Sequence, residues 1–286
     1  MIEGELVGAD SGRKRGVTAV DRFIKMLLSL ALITTCALAQ STEQSTGTVQ
    51  GRTRSSKPVV PTEIGNAVPS ADDVVAKMLE LDARRQSELT GYTAVRRYVA
   101  VNKQRRAEML VRVSCDSNGA KQFTIVSEQG SGAIRKYVFH KLLTEEAEAS
   151  RRGSRTSNRL TPDNYEFQMV VQETLDSSPA YVLKVVPKTA NKYLIDGKVW
   201  VDATDYSIIR IEGKPARNPS FWVRSVHFEH TYQRVGQFWF AQSTRSDSQL
   251  RIFGDSVLTI DTSDYRLELP SANHTAESNE QTAFVR

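Results

Sequence analysis

The sequence predicts an α+β fold in which a single antiparallel, strongly curved sheet, a half-barrel of about ten or eleven strands, is covered by two or more helices. Between residues 70 and 270, two segments have the apolar period of about 3.6 residues that is typical of helices, and about ten have the two-residue period of strands. The strands follow one another without the regular strand–helix alternation of a parallel sheet. This order favours one antiparallel domain.

The first helix is predicted to begin at a capping box formed by Ser70 and Asp73 and to end near Glu88. A second helix is predicted over residues 133–150, directly after the glycine-rich break at residues 130–132.

The remaining apolar segments alternate as strands do. The hairpin signal Asn118-Gly119 separates two of them, and Gly236-Gln237 and Asp196-Gly197 are read as tight turns or bulges. The predicted strands cover residues 92–101, 109–115, 123–125, 165–172, 181–185, 194–203, 206–213, 223–235, 238–245, 249–260 and 265–269.

The ends of the chain lack this periodicity. Basic residues precede the apolar run 26–38, and the small-residue pattern before Gln40 predicts a signal peptide cleaved between Ala39 and Gln40. The alternative is lipid attachment at Cys36, which would leave the protein anchored. We therefore expect a periplasmic protein with a signal peptide (1–39), a disordered linker (40–69), one folded domain (70–270) and a disordered tail (271–286).

Charge and composition exclude several classes. The chain has 38 Lys and Arg against 33 Asp and Glu, a formal net charge of +5, without the clustered basic tail of a nucleic-acid binder. Its apolar runs are too short for an integral membrane span in the mature form. Cys115 is the one cysteine that remains after cleavage, and its place in a strand pattern predicts a buried side chain.

No catalytic, metal or cofactor site is predicted. His227 and His230 are three residues apart on a strand and should point to opposite faces, which disfavours zinc. Gly130-Ser131-Gly132 is too short for a phosphate loop. The acidic pairs Asp72-Asp73 and Glu145-Glu146 are expected on solvated helix faces.

The size of the sheet predicts a cavity. Ten strands span about 50 Å, whereas two helices cover about 20 Å. The sheet must therefore fold onto itself or curl around the helices and leave an apolar concavity, and these physical arguments leave both open. Trp200 lies in the opposite phase and is expected on the outer face. The candidate groove residues, for which plain core packing is the alternative, are Met169, Val171, Leu183, Val185, Val199, Val201, Ile209, Ile211, Trp222, Val226, Phe228, Phe238 and Phe240.

Three segments carry a family resemblance: residues 198–213 (KVWVDATDYSIIRIEG), 218–222 (NPSFW) and 238–240 (FWF). They resemble divergent bacterial members of the outer-membrane lipoprotein-sorting (LolA/LolB-like) superfamily, and the resemblance covers about residues 70–268. It implies a periplasmic half-barrel of about eleven strands whose apolar interior receives acyl chains. It also implies a strand arginine that holds the lid shut; the strand arginines Arg97, Arg112, Arg210 and Arg224 include no clear equivalent.

The sequence thus predicts a non-catalytic carrier of acyl chains of lipids or lipoproteins, with an acceptor protein in the inner or outer membrane as a partner. The alternative is an envelope-stress sensor or protein-interaction module with the same fold. In that case the basic loop could contact anionic groups, although such loops are usually only solvated. The arginines of this loop are Arg151, Arg152, Arg155 and Arg159.

Overall fold

A computed structural model describes residues 69–151, 159–175, 178–218, 221, 223–251 and 254–269. The signal peptide with Ala39 and Gln40, the anchor alternative at Cys36 and the tail 271–286 lie outside the described residues. So do Trp222, Arg152 and Arg155, and all of the predicted linker except Pro69.

The first helix, α1 (Ala71–Glu88), begins where the capping box predicts. The backbone N–H of Asp73 donates to Ser70 Oγ at 3.2 Å, and the backbone N–H of Ser70 donates to Asp73 Oδ2 at 3.2 Å. These two bonds satisfy amide groups that the first turn of a helix leaves without a partner. The predicted start and end of this helix are confirmed.

The second helical run is continuous but not uniform. It consists of α2 (Gly132–Ile134), a π-helical turn π1 (Arg135–Phe139) and α3 (His140–Arg151). In the π turn the backbone N–H of His140 donates to the carbonyl of Arg135, five residues earlier. Such a wide turn inserts one residue into the helix, and here it ends at Phe139, which is fully buried.

Ten strands form one antiparallel sheet in the order β3-β2-β1-β10-β9-β8-β7-β6-β5-β4. Strands β3 and β4 are its two edges, since each pairs with one neighbour among the described strands, so the sheet is open and the predicted α+β half-barrel is confirmed. The strands are β1 (Gly91–Asn102), β2 (Arg106–Cys115), β3 (Lys121–Gly130), β4 (Tyr165–Leu175), β5 (Ser178–Pro187), β6 (Ile195–Asp202), β7 (Ile208–Pro215), β8 (Val223–Val235), β9 (Phe238–Leu250) and β10 (Gly254–Glu268).

Two of the predicted turns are confirmed. Gly119 (φ +77°) lies between β2 and β3, and Gly236 (φ +64°) lies between β8 and β9, both in the left-handed region that glycine adopts without strain. The prediction of one strand over residues 249–260 is wrong, because β9 ends at Leu250 and β10 begins at Gly254, which also has a positive φ.

The reading of Asp196-Gly197 as a turn or bulge is also wrong. Gly197 lies inside β6 and pairs directly with Gly213 of β7. A Cβ atom on Gly197 would lie 2.0 Å from the carbonyl oxygen of Glu212 and 2.7 Å from the Cα atom of Gly213. Glycine is required here because two strand backbones approach closely, which is the other reason for a glycine within a strand.

Two apolar clusters lie between the sheet and the helices. The α1 cluster comprises Val74, Val75, Met78, Leu160, Tyr165, Tyr181, Leu183, Val185, Leu194, Ile195, Val199, Val201, Ile211 and Phe228. The α3 cluster comprises Tyr98, Ala100, Ala107, Met109, Val111, Phe139, Leu142, Leu143, Val223, Val226 and Leu258. Each helical run therefore covers its own part of the same sheet face, which we call the concave face. No helix among the described residues is long and apolar enough to cross a membrane.

Candidate functional site on the concave face

Seven of the thirteen predicted groove residues belong to the α1 cluster or pack against it. Met169 packs on the edge of the α1 cluster and is partly exposed. The fully enclosed members of the predicted set are Leu183, Val185, Val199, Val201, Ile211 and Phe228.

The other members do not share that cluster. Val226 belongs to the α3 cluster, although it is only two residues from Phe228 on β8. Phe238 and Phe240 belong to a third, aromatic cluster with Tyr92, where the Phe240 ring stacks on that of Tyr265 at 4.6 Å. The predicted set is therefore divided among separate parts of the fold.

Val171 and Ile209 lie away from the groove set, and the cause is local. The pairing of β4 with β5 shifts between Met169 and Val171, and the pairing of β6 with β7 shifts between Trp200 and Val201. Each β-bulge adds a residue and reverses the inward phase. Val171 is consequently 46% exposed, and Ile209 packs with Trp200 instead of Val201.

Trp200 itself lies where its phase predicts, in an outer cluster on the opposite face with Ala180, Val182 and Ile209. Its indole N–H donates to the carboxylate of Glu173. The guanidinium of Arg210 lies 4.9 Å from the centre of its ring, a cation–π contact.

A buried ion triad fastens α3 to the sheet. The guanidinium of Arg96 on β1 donates from Nη1 to both carboxylate oxygens of Glu146 on α3, each at 3.0 Å. The ammonium group of Lys121, at the start of β3, lies 2.9 Å from Glu146 Oε1. The backbone N–H of Lys121 also donates to Ser150 Oγ at 2.9 Å, so the last turn of α3 is held at a second point.

The electrostatics of this triad are unusual because two cations face one anion inside the protein. The Lys121 side chain is fully buried, and that of Glu146 is 5% exposed. Burial by itself would raise the pKa of Glu146, but the neighbouring Arg96 and Lys121 charges outweigh it and lower the pKa to about 2. The expectation that Glu145-Glu146 lies on a solvated face is wrong for Glu146.

Sequence reasoning did not find Arg96, since it considered Arg97, Arg112, Arg210 and Arg224 as strand arginines. Arg97 is half exposed and pairs with Glu108. Arg210 pairs with Glu212 and Glu229, and Arg112 and Arg224 are exposed. Of the loop arginines that are described, Arg151 is exposed and Arg159 is half-buried.

A set of polar side chains crosses the middle of the concave face. We call it the polar seam; it comprises His230 on β8, Thr244, Ser246 and Ser248 on β9, and Thr262 on β10. All but the half-buried Thr244 are buried. His230 Nδ1 lies 2.8 Å from Thr244 Oγ1, and Ser248 Oγ donates to the Ser256 carbonyl. A sequence signal exists, because Thr244, Ser246 and Ser248 recur at a spacing of two. These residues are polar, however, and the alternation of apolar residues does not include them.

His227 and His230 point to opposite faces, as their spacing predicts. His227 is exposed and approaches Glu212, whereas His230 is 2% exposed. No group of three or more metal-ligating side chains occurs within the described ranges. Cys115 is buried beside Tyr92, which agrees with its predicted role as a small apolar side chain.

No protein-family model matches this chain, and no curated protein matches it. Solved structures that match include a DUF1329 family protein from Desulfovibrio piger (11% identity; 71% of this chain and 95% of that chain; TM-score 0.39). A second is an outer membrane lipoprotein-sorting protein domain from Vibrio parahaemolyticus (15%; 73% and 96%; TM-score 0.38). A third is the MucA/MucB complex from Pseudomonas aeruginosa (10%; 69% and 99%; TM-score 0.24).

The open sheet and its helices, as described above, have the half-barrel arrangement that the LolA/LolB-like resemblance predicts.

Proposed function

We propose that this protein is an exported, non-catalytic carrier that binds acyl chains of lipids or lipoproteins between the concave face and its helices. One observation carries the proposal: two separate helical runs fill an open, curved sheet with apolar side chains. The predicted signal peptide supports action in the periplasm, where such a carrier would pass its cargo to an acceptor in the inner or outer membrane.

Two states of the carrier have comparable free energies: the covered state, in which the helices pack on the concave face, and the loaded state, in which an acyl chain takes their place. The second helical run buries Phe139, Leu142 and Leu143 in the α3 cluster. Burial of three such side chains is worth about 5 to 9 kcal/mol. An acyl chain gains about 0.8 kcal/mol for each buried methylene, so roughly ten methylenes give about 8 kcal/mol. A chain could therefore replace these side chains on the sheet with little net change, as reversible binding requires.

The second helical run is attached to the sheet in a way that suits movement. It follows β3 directly, and the strand ends at Gly130, where φ is +83°. A Cβ atom at this position would lie 2.3 Å from the Arg106 carbonyl oxygen, so only glycine fits. We assign this junction as the hinge, and the triad of Arg96, Glu146 and Lys121 as the latch that holds the far end of α3.

A reversible cross-link tests this assignment. The His140 imidazole, early in α3, contacts the Glu128 carboxylate on β3. Cysteines placed by Glu128→Cys and His140→Cys, joined by a cleavable bis-maleimide, would fix the angle between strand and helix. We expect the cross-linked protein to take up a fluorescent fatty acid at least ten-fold more weakly, and reduction of the linker to restore uptake.

The variants that carry Glu128→Cys or His140→Cys alone, treated with the same reagent, are the matched controls and should bind as the unmodified protein does. Uptake that is unaffected by the cross-link would contradict movement of α3. Mass spectrometry of the purified protein supplies a separate test of the carrier. A lipid-free protein that also fails to take up the fatty acid would refute the carrier and favour the interaction module.

A further inference from the structure

The polar seam contains two buried atoms that have no hydrogen-bond partner. These are Nε2 of His230 and Oγ of Ser246, and both side chains are at most 2% exposed. Burying a polar group without a partner costs about 1–3 kcal/mol. Two such atoms side by side mark a place that is incomplete in the covered state.

The strand register places these two residues on neighbouring strands, one pair apart on the same sheet face. His230 pairs with Thr244, and Phe228 pairs with Ser246, so His230 and Ser246 are diagonal neighbours on one sheet face. Diagonal neighbours in an antiparallel sheet have Cα atoms about 7–8 Å apart, and one small polar group can reach both side chains.

The seam lies between the two apolar clusters. Ser246 pairs on one side with Phe228, a member of the α1 cluster, and on the other with Leu258, a member of the α3 cluster. A ligand centred on Ser246 would therefore have apolar surface in both directions and hydrogen-bonding groups only at its middle.

The chemistry of the seam selects a neutral group. Burial lowers the pKa of His230 to about 4, so the imidazole is uncharged near neutral pH. A neutral imidazole and a hydroxyl can each donate or accept one hydrogen bond, whereas neither compensates the charge of a carboxylate. An ester matches this pattern, because its oxygens only accept hydrogen bonds and its two arms are apolar.

We propose that His230 and Ser246 form a binding site for a neutral ester link of a lipid, with one hydrocarbon arm on the α1 cluster and the other on the α3 cluster. This inference rests on the proposed carrier function and adds to it the class of cargo. The ester carbonyl accepts a hydrogen bond from the Ser246 hydroxyl, with His230 Nε2–H as the second donor when the Thr244 hydroxyl donates to Nδ1.

The test compares two ligands of equal chain length, octyl octanoate and heptadecane, delivered from cyclodextrin to the full-length protein. Affinity is measured by displacement of a fluorescent fatty acid. We expect Ser246→Ala to weaken octyl octanoate about ten-fold, the equivalent of one hydrogen bond to a buried group, and to leave heptadecane unchanged. Ser225→Ala, on the exposed side of β8, is the matched control and should change neither ligand.

Two further measurements separate this role from a structural one. The melting temperature of Ser246→Ala should equal or exceed that of the parent, because the substitution removes an unpartnered hydroxyl. Isotope-edited infrared spectroscopy of octyl octanoate labelled with ¹³C at the carbonyl should show a lower stretching frequency in the parent than in a Ser246→Ala, His230→Phe double variant.

The outcomes are distinguishable. Equal affinity of parent and Ser246→Ala for octyl octanoate, or an unshifted carbonyl band, would overturn the ester site and leave the carrier intact. Failure of both ligands to displace the probe, together with failure of the probe itself to bind, would overturn the carrier and the ester site with it.

Discussion

Replacement of Glu146 by Gln should destabilise the protein more than replacement of Lys121 by Met. Glu146 is the one carboxylate in the triad, and it lies 3.0 Å from Arg96 Nη1 and 2.9 Å from Lys121 Nζ. Glu146→Gln leaves two cations facing each other in a site with almost no solvent. Removing one partner of a buried ion pair costs about 3–5 kcal/mol, and we expect a loss in that range.

Lys121→Met, in contrast, leaves the buried site with no net charge. It removes the surplus cation and leaves Arg96 and Glu146 as a neutral pair, while the backbone bond from residue 121 to Ser150 is retained. Because apolar replacement of buried charges is often neutral, the expected change is within about 1 kcal/mol. Glu166→Gln, at an exposed position of β4, is the surface control and should stay within about 0.5 kcal/mol.

Guanidinium unfolding followed by tryptophan fluorescence measures these differences. The pH dependence of the free energy of unfolding is a second test, because the pKa of Glu146 is lowered from 4.5 to about 2 in the folded protein. Its contribution to stability, about 3 kcal/mol, is present above pH 4.5 and is lost as the pH falls towards 2. Glu146→Gln should lack this loss. A Lys121→Met variant as unstable as Glu146→Gln would refute the charge-balance argument.

Three further predictions test separate parts of the fold. Burial lowers the pKa of His230 from 6.5 to about 4, so below pH 6.5 the unfolded chain takes up a proton that the folded protein does not; the free energy of unfolding of the parent should therefore fall by about 3 kcal/mol between pH 6.5 and 4, and guanidinium unfolding of His230→Phe over this range should not show that loss. Gly197→Ala should cost more than about 2 kcal/mol, because its Cβ would lie 2.0 Å from the Glu212 carbonyl oxygen, whereas Gly132→Ala, whose Cβ would lie in ordinary contact with Arg135 Nη2 at 3.8 Å, should change stability by less than about 1 kcal/mol in the same assay. Trp200→Ala should lower the free energy of unfolding by about 3–5 kcal/mol through loss of the outer cluster, and a change under 1 kcal/mol would show that this face is not well packed.

The elements could be predicted from the sequence because their signals are local. The capping box at Ser70 fixes the start of α1, and alternation with glycine turns marks most strands. Since each strand follows the previous one, antiparallel pairing of neighbours gives nearly the whole sheet. What local signals do not contain is the pairing of β1 with β10.

The candidate site was predicted less completely, for two physical reasons. A single bulge residue reverses the phase of a strand, and Val171 and Ile209 were placed on the wrong side of theirs for that reason. Buried polar residues are also missed when burial is predicted from the alternation of apolar residues. Arg96 and Ser246 occupy inward positions, but their burial depends on elements that are distant in sequence, such as α3 for Arg96.

The order of the strands has a consequence for folding. Strands β1 to β3 pair with one another early in the chain, but among the described strands they join the rest of the sheet only through β10. The hydroxyl of Thr90, just before β1, donates to the carbonyl of Glu268 at the end of β10, 178 residues later. Contacts of such high sequence separation slow folding, because a long loop must close before they form. The first three strands and the second helical run therefore remain incompletely covered until β10 has been synthesised and has docked.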